Sequence, residues 1–267
     1  MKLNKVGEGN TAELYAVSNE RIRKVFKTHV PIEMIMKEYL IGKSIEAIDV
    51  KTPKIYTLFC SDSERYIEME FIQGTDFLHD FTVTSSESFI AQLAELQLTV
   101  HRQTVKSVPS LYEVIQDKLG MLPADMKQQG EDLFSQVISH PSSSSHLLHG
   151  DFHPQNILKT STNDLVVIDW NDATSGPPIA DVARTLLLMR TAGDDLLTDE
   201  TRVRICRLYY TIYTSKSIIR LSELENWIRL CALLRTQEQL SLKEIDCLLK
   251  LVNKEDLLRF FFESKEK

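Results

Sequence analysis

Three oxygen-bearing side chains fall within one short stretch of the chain: Asp151 in His149-Gly150-Asp151, Asn156 close behind it, and Asp169 in the run VVIDW. Carboxylates and an amide carbonyl are hard oxygen ligands of the kind that suits magnesium, and a carboxylate can also orient a hydroxyl and accept its proton. Phosphoryl transfer asks for both, because the phosphates must be neutralised and the attacking hydroxyl aimed. Asp151, Asn156 and Asp169 supply that set. A lone His-x-Asp would say little, since such a run often only ends a strand; the order of the three residues carries the reading.

Something must hold these groups rigidly. The island HLLHGDFHPQNILKTSTNDLVVIDW consists of small apolar runs flanking polar residues, with Asn163-Asp164 as turn chemistry, and reads as short strands presenting their polar residues from a firm base. Upstream, the first seventy or so residues are strand-rich. Ala12, Leu14 and Ala16 alternate with Glu13, Tyr15 and Val17; after the turn SNE, Ile22, Lys24 and Phe26 share one face, which predicts two antiparallel strands. Pro31 opens a helix in which Ile32, Ile35, Tyr39, Ile45 and Ile48 recur at helical intervals. KIYTLFC and YIEMEFI predict a second strand pair around the turn SDSER, and the chain then reaches a hinge at Glu70 to Gly74. Beyond it the pattern turns helical, at SFIAQLAELQLTVHRQ, at DLFSQVISH and along much of Thr201 to Phe262. PSSSS before the island is a loop, and no internal repeat is visible.

With 43% hydrophobic residues over 267 positions the chain can bury a large core, and a net charge of −7 disfavours nucleic acid as the main partner, a cationic substrate fitting better. The four cysteines form neither a CxxC pair nor a zinc spacing, which points to a reducing compartment. The N-terminal MKLNKVGEGN is polar and no apolar run reaches the length of a membrane span, so a cytoplasmic protein is expected.

The pattern HGDFHPQN followed by VIDW resembles the HGDxxxxN and IDW pattern of the aminoglycoside phosphotransferase and choline kinase-like family, and the resemblance extends over nearly the whole chain. It implies the two-lobed, protein kinase-like α+β fold: a sheet-plus-helix N-terminal lobe over 1–72 and a mainly helical C-terminal lobe over 73–267. It implies further that Asp151 is the catalytic base, that Asn156 and Asp169 hold Mg2+, and that His149 buttresses the loop. DWNDATSGPPIADVARTLLLM looks like the family's continuation, with Asp181 as a structural support of the catalytic loop.

By the same correspondence, Gly7 and Gly9 in VGEGNT approach the phosphates of ATP, Val6 and Leu14 flank the adenine, and hinge backbone between Met69 and Ile72, including Glu70, recognises it. Glycines in a hairpin often mean only a turn, and the kinase pattern's third glycine is Ala12 here. Lys24 is the expected phosphate lysine and Glu38 its helix partner, preferred to Lys27 and Glu33. Gly42-Lys43-Ser44 imitates the end of a P-loop, but Lys37 stands where that motif needs glycine. Tyr209, Tyr210, Trp227 and Phe260 to Phe262 read as packing. The expected activity is ATP- and Mg2+-dependent transfer of the γ-phosphate to a small-molecule hydroxyl, with Asp172, Asp194 and Asp195 as candidate acidic walls. Only about a dozen residues separate Asp169 from Asp181, too few for the long segment with which a regulated protein kinase docks peptides. A protein kinase-like regulator and a non-catalytic nucleotide-binding module are the alternatives.

Overall fold

The computed structural model describes residues 4–79, 87–138, 145–191 and 197–263. Asp194 and Asp195 lie outside the described residues. Strands β1 (Asn4–Glu8), β2 (Ala12–Ala16), β3 (Arg21–Phe26), β4 (Ile55–Cys60) and β5 (Arg65–Glu70) form one antiparallel sheet in the order β1-β2-β3-β5-β4, with helix α1 (Ile32–Ile45) packed against it. Ala12 pairs with Phe26, Leu14 with Lys24 and Lys24 with Ile67, so Lys24 projects from the same face as Ala12, Phe26 and Ile67. Those three join Ile35 and Ile55 in a small core between sheet and helix. Lys24 therefore faces inward by register, as expected. Gly42 belongs to this packing: a Cβ there would lie 2.8 Å from Ile55 Cγ1, so the GKS run marks the close approach of α1 to β4.

The second lobe is helical around two small sheets. Strand β6 (Gly74–Asp76) pairs with β8 (Ile157–Thr160), and β8 pairs with β9 (Leu165–Val167); β7 (His146–Leu148) pairs with β10 (Thr174–Gly176). The β8–β9 hairpin closes as expected, with Asn163 at φ 63° and the Asn163 amide bonded to the Thr160 carbonyl. Around these sheets lie α2 (Glu87–His101), α3 (Leu111–Gly120), α4 (Ala124–Ile138), α5 (Pro178–Thr191), α6 (Asp199–Lys216), α7 (Leu221–Arg235), α8 (Leu242–Val252) and α9 (Leu257–Phe262).

Four elements depart from the sequence reading. Gly74, read as the end of a hinge, starts β6: its glycine is needed because a Cβ would sit 2.6 Å from the Lys159 carbonyl oxygen of the neighbouring strand. Neither β10, a three-residue strand that shows no alternation, nor α3 was singled out. Helix α1 stops at Ile45 rather than continuing to Ile48.

The large core is built on Leu93, Leu186, Leu187 and Ile228, and Ile41, Ile45 and Val50 from around α1 reach into it. Helix α1 thus serves both lobes. The Val167 amide also donates to the Lys51 carbonyl at 2.9 Å, stitching the strand that leads to Asp169 to the N-terminal lobe. Tyr209, Trp227 and Phe261 are buried as packing residues. Among the described residues no helix is long and apolar enough to cross a membrane.

Leu93 on α2 is fully buried, whereas Leu242 on α8 is 86% exposed. Leu93→Ala should lower the unfolding free energy by about 2–5 kcal/mol and Leu242→Ala should leave it within about 0.5 kcal/mol, as read by urea denaturation.

Candidate active site

The loop carrying Asp151 hangs from one buried carboxylate. Asp181, in the first turn of α5, accepts from the amide of His149 at 3.1 Å, the amide of Gly150 at 2.8 Å, Nε2 of Gln97 at 3.0 Å and Nε2 of His101 at 3.0 Å. Burial alone would push this carboxyl up, but His101 and Gln97 outweigh it and hold it at about 2, against the ordinary 3.8. Further donors fix the donors. The Tyr213 hydroxyl bonds Nδ1 of His101 at 2.6 Å, and the Tyr209 hydroxyl donates to the Gln97 carbonyl oxygen. Thr185 takes a hydrogen bond from Gln97 and gives one to the Phe152 carbonyl at 2.8 Å.

The loop has little freedom left. Gly150 sits at φ 79°, and a Cβ there would lie 2.3 Å from the Asp172 carbonyl oxygen, so no other residue fits. His149 is buried with its Nε2–H donating to the Ile168 carbonyl at 3.0 Å and its Nδ1 accepting from the Asp151 amide at 3.2 Å. Burial lowers its pKa, in keeping with a neutral ring that ties the loop to the residue before Asp169. This is the buttress expected of it.

A cleft of about 1470 Å3 runs between the lobes. Val6, Gly7, Gly9, Leu14, Lys24, Glu38, Glu70, Ile72, Asp151 and Asp169 all line it; Asn156 does not. Asn156 stands one layer back, its Nδ2 donating to the Asp151 carbonyl at 2.9 Å and to Asp151 Oδ2 at 3.0 Å, which leaves Oδ1 as a free acceptor. Lys24 Nζ lies 2.7 Å from Glu38 Oε1 and 3.8 Å from Asp169 Oδ1, so side chains from β3, from α1 and from the end of the β8–β9 hairpin meet across the cleft. Burial opposes the charge on Lys24, yet the two carboxylates more than compensate and raise its pKa. Asp169 adopts φ 62°, an uncommon conformation for a residue with a side chain, and takes a hydrogen bond from Asn171 Nδ2 at 2.7 Å. Lys27 instead points to the exposed Glu8 at 3.4 Å, and Glu33 is exposed. At the hinge, the Glu70 amide is committed to the Lys54 carbonyl at 2.8 Å, and among the described residues the Ile72 amide has no partner.

The family model described as "Phosphotransferase enzyme family", APH, matches residues 2–211. The chain belongs to that family. None of the curated protein sequences matches it. Solved structures show the fold of such phosphotransferases. A thermostable variant of aminoglycoside phosphotransferase APH(4)-Ia, in a ternary complex with AMP-PNP and hygromycin B, superposes with a TM-score of 0.67 at 15% identity, covering 92% of this chain and 90% of that one. Choline kinase LicA from Streptococcus pneumoniae superposes at 0.65 and 14% identity, covering 94% and 92%. The APH(2")-IIa complex with streptomycin and ATP superposes at 0.60 and 15% identity, covering 98% and 94%. Family and fold together support a small-molecule phosphotransferase.

One member of this phosphotransferase's site escaped the sequence reading. Arg184 on α5 donates from Nε to the Gly150 carbonyl at 2.8 Å and from Nη1 to Glu238 at 2.7 Å, and its Nη2 lies 3.4 Å from Asp151 Oδ1. Burial works against its charge, but Glu238, Asp151 and Asp172 raise its pKa. Its signal was present, since Arg184 stands one turn after Asp181 and must share its helix face. Burial works against ionisation of Asp151 as well, yet His153, 3.4 Å from Oδ2, and Arg184 hold its carboxyl well below the ordinary range.

A depressed carboxyl pKa contributes stability that is present above the unfolded value and lost as pH falls through the folded one. Asp181→Asn should therefore cost about 3–5 kcal/mol at about pH 7, because it uncouples a buried hydrogen-bonded charge. Urea titrations should show that gap narrowing as pH falls from the ordinary 3.8 towards about 2.

Proposed function

We propose that this chain transfers the γ-phosphoryl group of ATP to a hydroxyl of a small molecule, with 1–72 as the nucleotide lobe and 73–267 as the catalytic and acceptor lobe. The observation that carries this reading is the meeting of Lys24, Asp151 and Asp169 on one cleft, with Asn156 fastened behind Asp151. The glycine hairpin between β1 and β2, Leu14 and the Ile72 amide lie along the same cleft, which supports nucleotide binding there. Four free thiols, Cys60, Cys206, Cys231 and Cys247, fit a reducing, cytoplasmic setting.

The donor set fits magnesium. Asn156 Oδ1 is left as an acceptor once Nδ2 is spent on Asp151, and Asp169 is half-exposed on the cleft; two protein oxygens completed by phosphates and water are typical of this ion. Magnesium bound there would neutralise charge on the phosphates. Lys24, held by Glu38, is suited to orient them. Asp151 is ionised at neutral pH and can accept a hydrogen bond from the acceptor hydroxyl. As the hydroxyl oxygen bonds to the γ-phosphorus and the bond to the bridging oxygen of ADP breaks, the proton passes to Asp151 and ADP leaves. The intact set of Lys24, Asp151, Asn156 and Asp169 weighs against a non-catalytic module.

Calorimetric titration of magnesium and AMP-PNP, run beside turnover with ATP, separates the roles. Asp151→Asn should keep nucleotide binding while turnover falls by about 10²–10⁴. Asp169→Asn should weaken metal-dependent nucleotide binding as well as turnover, and Lys24→Ala should chiefly slow transfer. Nucleotide binding lost in the Asp151 variant but retained in the Asp169 variant would reverse the assignments.

A further inference from the structure

The cleft continues past Asp151 to a wall made by the end of α7, the loop after it and the last turn of α3. The charges there are unevenly committed. Arg184, half-buried, already faces two of the carboxylates here, Glu238 at 2.7 Å and Asp151 at 3.4 Å, whereas Asp172 is exposed. Arg235 differs. Its side chain is 11% exposed and spends only Nη1, on Glu238 Oε2 at 2.8 Å; among the described residues its Nε and Nη2 have no partner. Lys118 lines the same wall, half-buried and without a carboxylate partner among the described residues. Gln237, two residues beyond Arg235, ties the two elements together by donating to the Lys118 carbonyl at 3.1 Å.

Two guanidiniums thus share Glu238, and Lys118 lines the same cleft with no carboxylate partner among the described residues. A largely buried guanidinium with two uncommitted nitrogens is a fork that matches two oxygens of a carboxylate or phosphate. Arg235 and Glu238 lie beyond residue 211, where the match to the family model ends.

We propose that this wall is an anion subsite, in which Arg235 and Lys118 hold a carboxylate or phosphate of the acceptor while its hydroxyl faces Asp151. The acceptor is then a hydroxylated compound bearing an anionic oxygen group, a class that the net charge of the chain does not suggest. The inference rests on the phosphotransferase reading above, and its test keeps the two apart.

The protein is saturated with magnesium and AMP-PNP and titrated calorimetrically with glycerate, glycerol phosphate, glycerol and choline. The first two should bind, with glycerol and choline weaker. Arg235→Gln and Lys118→Gln should each weaken the anions by about tenfold or more while AMP-PNP affinity is unchanged, as loss of a charge-assisted hydrogen bond implies. Lys118→Gln, at a half-exposed position, guards against misfolding of the Arg235 variant. No binding of either anion to the wild type, undiminished binding in both variants, or choline binding more tightly than the anions would overturn the proposal. Failure of AMP-PNP to bind the wild type would count instead against the phosphotransferase reading.

Discussion

The site depends on one buried anion. Asp181 is surrounded by core side chains and survives there as a carboxylate only because four N–H groups converge on it. Two of those groups are consecutive backbone amides, of His149 and Gly150. A carboxylate that must be satisfied therefore dictates the path of the chain immediately before Asp151. The same logic runs outward. Gln97 and His101 are buried polar groups that need partners in their turn, and Tyr209, Tyr213 and Thr185 provide them, so residues from α2, α5 and α6 are locked into a single arrangement.

From this anchor the remaining geometry follows in short steps. His149 spans from the Asp151 amide to the Ile168 carbonyl, which sets the loop against the residue preceding Asp169. Asn156 closes the loop on Asp151 from the other side. Arg184, one turn along α5 from Asp181, grips the Gly150 carbonyl and reaches Asp151. The N-terminal lobe meets this assembly through α1, whose Ile41 and Ile45 are in the large core while its Glu38 holds Lys24 opposite Asp169. The sheet and the Asp151 loop are thus registered through a helix common to both.

Much of this was legible in the residues. Alternation along β2 and β3 put Lys24 on the inner face, and the pairing of Leu14 with Lys24 bears that out. The Pro31 helix and the Asn163 turn were legible because proline and a left-handed asparagine impose local conformation. What was illegible depended on contacts between distant segments. Gly74 resembled a hinge because its neighbour, the Lys159 backbone, lies far along the chain, and the Gly42-Lys43-Ser44 run gave no sign that its glycine makes room for Ile55. Arg235 and Glu238 carry no motif, and only the packing of α7 beside α5 brings them to Arg184. The net charge of −7 is a sum over the whole surface and says nothing of which acids already face an arginine.

The central claim is that a loop fixed by Asp181 brings Asp151, Asn156 and Asp169 to the phosphates of a nucleotide held under Lys24. A crystal structure with magnesium and AMP-PNP bound tests it most directly. The account predicts a magnesium ion held by Asn156 Oδ1 and Asp169 against the phosphates, Lys24 Nζ on those phosphates, and Asp151 facing the γ-phosphorus across space for a hydroxyl. Nucleotide seated elsewhere, or magnesium that touches neither Asn156 nor Asp169, would contradict it.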